Sequence, residues 1–325
     1  MLIGMTYDLK DDYLKEGYAP ELVAECDSIV TIDAIDAALQ KLGHQTVRIG
    51  NVKALVGFLA AGKTCDLVFN IAEGMHGLLR ESVIPALLDA YRIPYVFSDS
   101  FVLAICLHKG FAKEVVRKAG VPTADYCVLS HPQDYKKVDL PYPLFLKPVG
   151  GGTGIGITAS NKVTDSQQLK NVSESLLATY GQPVLVETFL SGREFTVGIT
   201  GTGDEAVSTG VMEIIIDHHS DGGIYSYKTK QEYVTTTRYE KPEPAAWKAC
   251  EAVALAAWRA LGCRDGGRID VKMGEKDVVH FLEVNPLAGL HPIDSDLPIL
   301  SRMHGLSYDD LIGRIVYSAQ KRLGL

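Results

Sequence analysis

The chain has 325 residues, 46% hydrophobic and 22% charged, ordinary usage for a globular protein of roughly two or three domains. A net charge of -8 with no run of Lys and Arg leaves no footprint for a nucleic-acid backbone, and no uncharged apolar stretch of about 18 residues exists to cross a membrane. The opening twelve residues lack the basic and apolar regions of a secretory signal, so a cytoplasmic protein is expected.

The first third alternates short apolar runs with helical periods. Strands are expected at 2–6, 46–49, 67–71 and 93–97, and helices at 27–42, 52–61 and 81–91, the first ending at Gly43. This rhythm predicts a doubly wound α/β domain over residues 1–99. A helix over 104–119 follows, then strands at 127–129 and 144–148. The glycine-dense stretch 150–156, a helix at 166–180 and a strand at 183–187 complete a second unit, 100–187. The last unit, 188–325, holds strands at 194–200 and 210–216 and a polar loop over 220–237. An amphipathic helix at 244–261, a hairpin-like pair and a final helix at 308–322 follow. Six scattered cysteines (Cys26, Cys65, Cys106, Cys127, Cys250 and Cys263) form no CxxC pair and read as buried free thiols.

One phosphate motif is a decoy. Residues 57–64 fit GxxxxGK[ST], but a working P-loop follows a strand and opens a helix, whose N-terminal amides bind the phosphate. Here a helix leads into Gly62 and a strand follows Thr64, so Gly62 reads as a helix end and Lys63 as a solvated turn residue. The adjacent His218 and His219 after Asp217 point to opposite faces of a strand and do not make a zinc site.

The strongest chemical signal spans 267–286. Residues 268–272 and 279–285 alternate, with the turn-forming 274–277 between them. Symmetric closure about Glu275 and Lys276 sets Asp270 opposite Phe281 and Arg268 opposite Glu283. Arg268, Asp270, Glu283 and Asn285 then share one face. Two carboxylates, an amide and a guanidinium together demand a cation and an anion. Mg²⁺ (or Mn²⁺) with nucleotide phosphates meets that demand, since these ions take hard oxygen ligands. A solvated face with ordinary ion pairs is the bland reading, and it leaves Asn285 unexplained.

Lys147 lies in an apolar strand that runs into the glycines, where backbone amides can approach an anion closely. A flexible surface loop is the alternative for a glycine run alone. Glu187 and Glu194 stand seven apart around a turn. That arrangement suits a planar base and a ribose, or equally a surface turn.

Taken in order, these stretches resemble the D-alanine–D-alanine ligase family of the ATP-grasp superfamily. The ordered set is Leu107-His108-Lys109, Lys147-Pro148, the glycine loop, Glu187 to Glu194, Arg268-x-Asp270 and Glu283-x-Asn285, and it covers nearly the whole chain. The resemblance implies an N-terminal α/β domain and two α+β domains that clasp ATP between antiparallel sheets. The implied activity is an ADP-forming carboxylate–amine ligase that makes a peptide or amide bond through an acyl-phosphate. Lys109, Lys147 and Lys230 would contact the phosphates, and the loop with Gly151, Gly152 and Gly154 would close over them. Glu187 would meet the adenine amine and Glu194 the ribose. Asp270, Glu283 and Asn285 would hold Mg²⁺. Arg268 would stabilise the tetrahedral intermediate, and Glu25 would receive the first amino acid's ammonium group. The partners are small carboxylate and amine substrates, and the family suggests a homodimer.

The sequence departs from the family at several points. Thr153 stands where the loop has serine, Gln231 replaces a tyrosine after Lys230, and Glu73-Gly74 replaces His-Gly. The acceptor segment 290–298 is longer and acidic. Asp294 and Asp296, flanking Ser295, would repel a carboxylate and favour a cation in the acceptor site, unless they point outward. D-alanyl-D-alanine synthesis is thus one candidate activity. The rivals are a ligase for another amino acid or amine, a phosphotransferase that stops at phosphoryl transfer, and a non-catalytic nucleotide-binding protein.

Overall fold

The computed structural model describes residues 1–152, 154–216 and 236–325. The N-terminal sheet is parallel, with β1 (Leu2–Thr6) between β2 (Gln45–Gly50) and β3 (Leu67–Asn70). Helix Ile29–Lys41 begins where Ser28 accepts a hydrogen bond from the Thr31 amide, and it turns Ile32, Ile35, Ala38 and Leu39 inward at helical spacing. The strand expected at 93–97 reduces to a single bridge between Tyr95 and Val68. Phe97 there takes φ +75 and gives its amide to Asp265 Oδ2 at 2.9 Å, which turns the chain away from the sheet. A short helix, Lys10–Lys15, goes beyond the sequence expectation.

The expected helix over 104–119 is two helices, Ser100–Leu107 and Lys109–Lys118. They part at His108, whose extended backbone (φ -86, ψ 93) ends one helix while its ring accepts from the Phe111 amide at 3.1 Å and starts the next. The break sets Lys109 at the first turn of the second helix.

Two antiparallel sheets follow. In the first, β4 (Tyr126–Leu129), β5 (Leu144–Pro148), β6 (Lys162–Val163) and β7 (Val184–Thr188) stand in the order β4-β7-β5-β6. Helix Ser166–Tyr180 covers it, burying Leu169 and Leu176 against Leu144, Leu146 and Val186. The second holds β8 (Glu194–Thr200), β9 (Val207–Ile216), β10 (Thr237–Glu240), β11 (Gly266–Met273) and β12 (Val279–Asn285), ordered β10-β9-β8-β11-β12. Helix Pro244–Leu261 packs on it through fully buried Trp258, whose indole N–H donates to Gly201 O at 3.1 Å. Ala112 and Val116 from helix Lys109–Lys118 join the same core. The last helix, Tyr308–Leu323, closes the N-terminal core by packing Leu311, Ile312 and Ile315 with Ile35, Leu39 and Phe69.

The hairpin β11–β12 corrects the expected register. Near its turn, Lys272 pairs with His280 and Val271 with Phe281, one residue out from symmetric closure. That offset alone would bring Leu282 opposite Asp270 and turn Glu283 and Asn285 to the far face. A bulge at Leu282 adds a second residue, so Asp270 pairs with Glu283 and Arg268 with Asn285. The four polar side chains share a face after all, because two one-residue offsets add up to a full period of the strand.

All six cysteines are free thiols, and Cys106 and Cys263 approach to 3.8 Å between sulfurs.

Candidate active site

A cleft of about 860 Å³ opens between the two antiparallel sheets. It is lined from one side by Lys147 and Glu187 and from the other by Glu194, Asp270, Lys272 and Glu283. Lys109 and the glycines Gly151, Gly152 and Gly154 close one end. Lys147 and Glu187 are buried on neighbouring strands, with Lys147 Nζ 2.9 Å from Glu187 Oε1. Lys113, fully buried, reaches Glu187 Oε2 at 2.8 Å and Thr123 Oγ1 at 2.8 Å. Burial opposes the charge on Glu187, but the two ammonium groups outweigh it and hold its carboxyl down at about 2. Burial also works against the Lys147 charge, and Glu187 and Glu283 more than offset it, so Lys147 stays a firm cation in the cleft.

Lys109 Nζ donates to Gly151 O and stands 3.7 Å from Glu283 Oε2. Gly151 needs its lack of a side chain, because its φ of +117 is rare for any other residue. On the opposite sheet, Lys272 and Glu194 pair directly across β11 and β8, with Nζ 2.7 Å from Oε2. Thr196, also on β8, gives its hydroxyl to Asp270 Oδ1.

Arg268 is buried beside Asp270, on the wall of an adjoining chamber. Its Nη1 donates to Asp270 Oδ2, and its Nη2 lies 3.8 Å from Asp296 Oδ2. Burial disfavours the guanidinium charge, but Asp270 and Asp296 raise its affinity for the proton well beyond the usual range. Asn285 Nδ2 sits 3.3 Å from Asp270 Oδ2. Among the described residues no three His, Cys, Asp or Glu side chains form a metal cluster. The donor set is two opposed carboxylates and an amide, all hard oxygen donors beside a phosphate-sized cleft. That set fits Mg²⁺, which takes one or two protein carboxylates and fills its shell with phosphate and water.

A second chamber of about 670 Å³ shares Lys109, Gly151, Gly152 and Glu283 with the cleft. Arg268 and Asn285 line it on one side and Glu25, Glu73 and Glu81 on the other. Both oxygens of Glu25 are engaged. Oε1 accepts from the Gly152 amide at 2.6 Å, and Oε2 accepts from Arg80 Nη2 at 2.8 Å.

The acceptor segment divides. Asp296 lies inward beside Arg268, its side chain 11% exposed. Asp294 is 56% exposed and rests on His291 Nδ1 at 3.2 Å, at the surface rather than on either cavity wall. Of the two alternatives, Asp294 takes the outward one, because the turn 291–295 carries it to the surface. Ser295 Oγ accepts from the His291 amide at 3.0 Å and so holds that turn. Thr153, Lys230, Gln231 and Asp217 to His219 lie outside the described residues.

Some functional side chains escaped the sequence reading. Lys272 continues the period-two face of Arg268 and Asp270, so its signal was present. Lys113, Arg80 and Glu81 carried none, since each is one charge among several on a short helical segment. The P-loop look-alike behaves as expected. Gly57 is inside helix Val52–Ala60, Gly62 (φ +70) follows its end, and β3 comes next.

A family model described as D-ala D-ala ligase C-terminus matches residues 115–317. A D-alanine–D-alanine ligase of Ralstonia pickettii is 32% identical over 260 residues, covering 78% of this chain and 76% of that one. Among solved structures, the D-alanine–D-alanine ligase of Bacillus anthracis complexed with ATP superposes with a TM-score of 0.74 at 21% identity, covering 99% of this chain and 98% of that one. The VanG D-Ala:D-Ser ligase of Enterococcus faecalis gives 0.75 at 21%, covering 98% and 99%. At this identity the structures speak for the fold, which is ATP-grasp, and the sequence matches speak for the family. The chain belongs to the D-alanine–D-alanine ligase family of ATP-dependent, ADP-forming ligases.

Proposed function

We propose that the enzyme activates the carboxylate of an amino acid as an acyl-phosphate and transfers it to a second amine, with D-alanine the leading candidate for both. The single observation that carries this reading is the junction of the two cavities at Lys109, Gly151, Gly152 and Glu283. One holds the lysines and carboxylates that suit a nucleotide, and the other is a polar chamber that adjoins it. Nothing in the site or among the relatives favours a phosphotransferase or a non-catalytic nucleotide binder.

In this reading Lys147 and Lys109 attract the triphosphate, and the amides of Gly151, Gly152 and Gly154 close on it with Thr153. Glu187 and Glu194 mark the base and ribose end. Asp270, Glu283 and Asn285 would hold Mg²⁺, which supplies charge neutralisation on the transferred phosphoryl group. Lys230 would add a cation from the segment after β9. Once the acyl-phosphate forms, the acceptor amine attacks its carbonyl carbon. Negative charge gathers on the carbonyl oxygen, and Arg268 is the cation at the chamber wall able to meet it. Phosphate then leaves as the amide bond forms, and the amine's proton is lost. Exclusion of water matters because the acyl-phosphate would otherwise hydrolyse.

Asp296 bears on the acceptor. A carboxylate beside Arg268 competes with any acceptor carboxylate for the same guanidinium. The VanG enzyme that shares this fold is a D-Ala:D-Ser ligase, and the contact of Asp296 with Arg268 adds amines lacking a carboxylate to the substrate panel. The reading also places the enzyme in the cytoplasm, beside ATP and free amino acids, as the homodimer the family suggests. Among the described residues no helix is long and apolar enough to cross a membrane.

The test is oxygen transfer. D-alanine labelled with heavy oxygen in its carboxylate should pass one labelled oxygen to the released phosphate. Unlabelled phosphate would mean that ATP is attacked by water or by another group, and the acyl-phosphate route would be abandoned.

A further inference from the structure

We infer that a separate cleft in the N-terminal domain, walled by Lys53, Arg80, Tyr13 and Tyr18, binds a small carboxylic acid with a flat apolar body and, through Arg80, opposes the binding of ATP. The site goes beyond the ligase reading, and its occupancy does not depend on that reading.

The cleft has a volume of about 720 Å³ and opens where the chain leaves all three strands of the parallel sheet. Asp8 follows β1, Asn51 to Lys53 follow β2, and Ala72, Gly74 and His76 follow β3. Loops that leave a parallel sheet toward opposite edges part and leave a crevice at its carboxyl end. Here the chain leaves β1 toward β2 at one edge, and it leaves β3 toward the bridge at Tyr95 on the other side. The cleft shares no lining residue with the nucleotide cleft or with the chamber of Glu25, Glu73 and Glu81.

Its walls are apolar and aromatic. Tyr13, from the short helix Lys10–Lys15, meets Tyr18 edge to face with ring centres 5.5 Å apart, and the Tyr18 ring lies 6.1 Å from that of His76. Val52, Met75, Val83 and Ile84 complete the lining. Such a surface takes a ring or a flat hydrocarbon body.

The charge on the wall is cationic. Asp8 is the one carboxylate there among the described residues, and it is satisfied. It is buried, its Oδ1 accepts from the Tyr13 hydroxyl, and its Oδ2 accepts from the Gly74 amide at 2.7 Å. Against it stand Arg80 and Lys53, and Lys53 is exposed and makes no ion pair among the described residues. A planar guanidinium with an ammonium group beside it suits a carboxylate, whereas an amine would find only the engaged Asp8.

Arg80 links the cleft to the nucleotide. Its Nη2 donates to Glu25 Oε2 at 2.8 Å, and Glu25 Oε1 accepts from the Gly152 amide at 2.6 Å. Gly152 lines the nucleotide cleft. A carboxylate in the N-terminal cleft competes with Glu25 for the guanidinium. Glu25 is then less neutralised, and a barer carboxylate held at Gly152 repels the triphosphate. The coupling is reciprocal, so ATP weakens the occupant by the same factor.

The test uses the full chain and three acids that carry no amine, phenylacetate, 3-phenylpropionate and indole-3-acetate. Calorimetric titration should show one site for at least one of them, with the matching neutral amide at least about tenfold weaker. Val83→Trp fills the cleft from a half-exposed wall position and should abolish binding. Lys53→Met should weaken it by about tenfold. Saturating D-alanine should not displace the acid, whereas Mg·ATP should weaken it by about fivefold, with an equal loss of ATP affinity when the acid is present. No binding by any of the three acids, equal binding of acid and amide, full binding to Val83→Trp, or displacement by D-alanine each overturns the site. Should Val83→Trp not fold, Lys53→Met decides, and an unmoved affinity overturns the site. An acid bound there with ATP affinity unchanged overturns the link through Arg80. Failure of the ligase reading would show instead as no amide product in the absence of any acid, with binding of the acids intact.

Discussion

The nucleotide cleft and the substrate chamber share a wall, yet their electrostatics differ. In the cleft every buried charge has a close opposite. Glu187 holds Lys113 and Lys147, and Glu194 holds Lys272. In the chamber, Glu25 lies 2.8 Å from Arg80, Glu81 lies 3.5 Å from the same guanidinium, and Lys109 and Arg268 stand elsewhere on the wall. Burying a charge is costly unless it is paired, and the pairing is closer in the cleft than around Glu81 in the chamber. A nucleotide is common to every member of an ATP-dependent family, and its half of the site has no reason to vary. The amino substrate is what varies, and the imbalance lies on its side.

Four changes would break or sharpen this contrast. The largest effect is expected from deletion of Leu282. Removing the bulge slides Glu283 and Asn285 to the far face of the hairpin and separates them from Asp270. Phosphate release should fall by about 1,000-fold or more, and a Mg²⁺ titration should not restore it. Retained activity would show that the bulge does not set the ligand face. Next comes Lys147→Met. It removes a cleft cation and leaves Glu187 with Lys113 alone, so kcat/KM for ATP should drop by about 100-fold while thermal unfolding moves little by comparison.

A smaller effect is expected from pH. Burial pushes the Glu81 carboxyl up to about 7, opposed by Arg80, with Glu25 adding to the rise, Lys109 opposing it, and a hydrogen bond to Glu73 lowering it. Glu81 lines the chamber and its ionisation adds a negative charge there, so affinity for an amino acid's ammonium group should improve several-fold from about pH 6 to about pH 8. Stability of the ligand-free protein should move the other way. The raised carboxyl contributes most below its ordinary range near 4.5, and that contribution is lost as pH rises through about 7. Glu81→Gln should flatten both trends, and binding isotherms with thermal melts across that window would show it. The smallest effect belongs to Lys63→Ala. Lys63 follows a helix end and lines neither cavity, so ATP turnover should be unchanged within error.

Much of the cleft was legible in the sequence because strands impose a two-residue period. Arg268, Asp270, Glu283 and Asn285 alternate visibly, and helix Ser166–Tyr180 and strand Glu194–Thr200 fall on their expected bounds. The register of the hairpin was not legible. A bulge leaves no mark in a run such as Val279 to Asn285, and the right face emerged only because the turn and the bulge each shifted pairing by one. The break at His108 was hidden for a related reason. The residues on both sides keep helical character, and only the cap formed with Phe111 reveals the change of direction. The chamber was least legible. Glu25 could be matched to a family position, but its occupation by Arg80 and Gly152 depends on contacts 55 and 127 residues away in the chain. Asp294 and Asp296 are two residues apart, yet one meets solvent and the other Arg268.

The most direct measurement of the central claim is a paired assay of ADP and amide product with Mg·ATP, D-alanine and then a panel of amino acids and amines, products being weighed by mass spectrometry. The account predicts one ADP per amide bond, with no turnover when the donor lacks an amine. ADP formed without any amide, at a rate indifferent to the amine supplied, would contradict it.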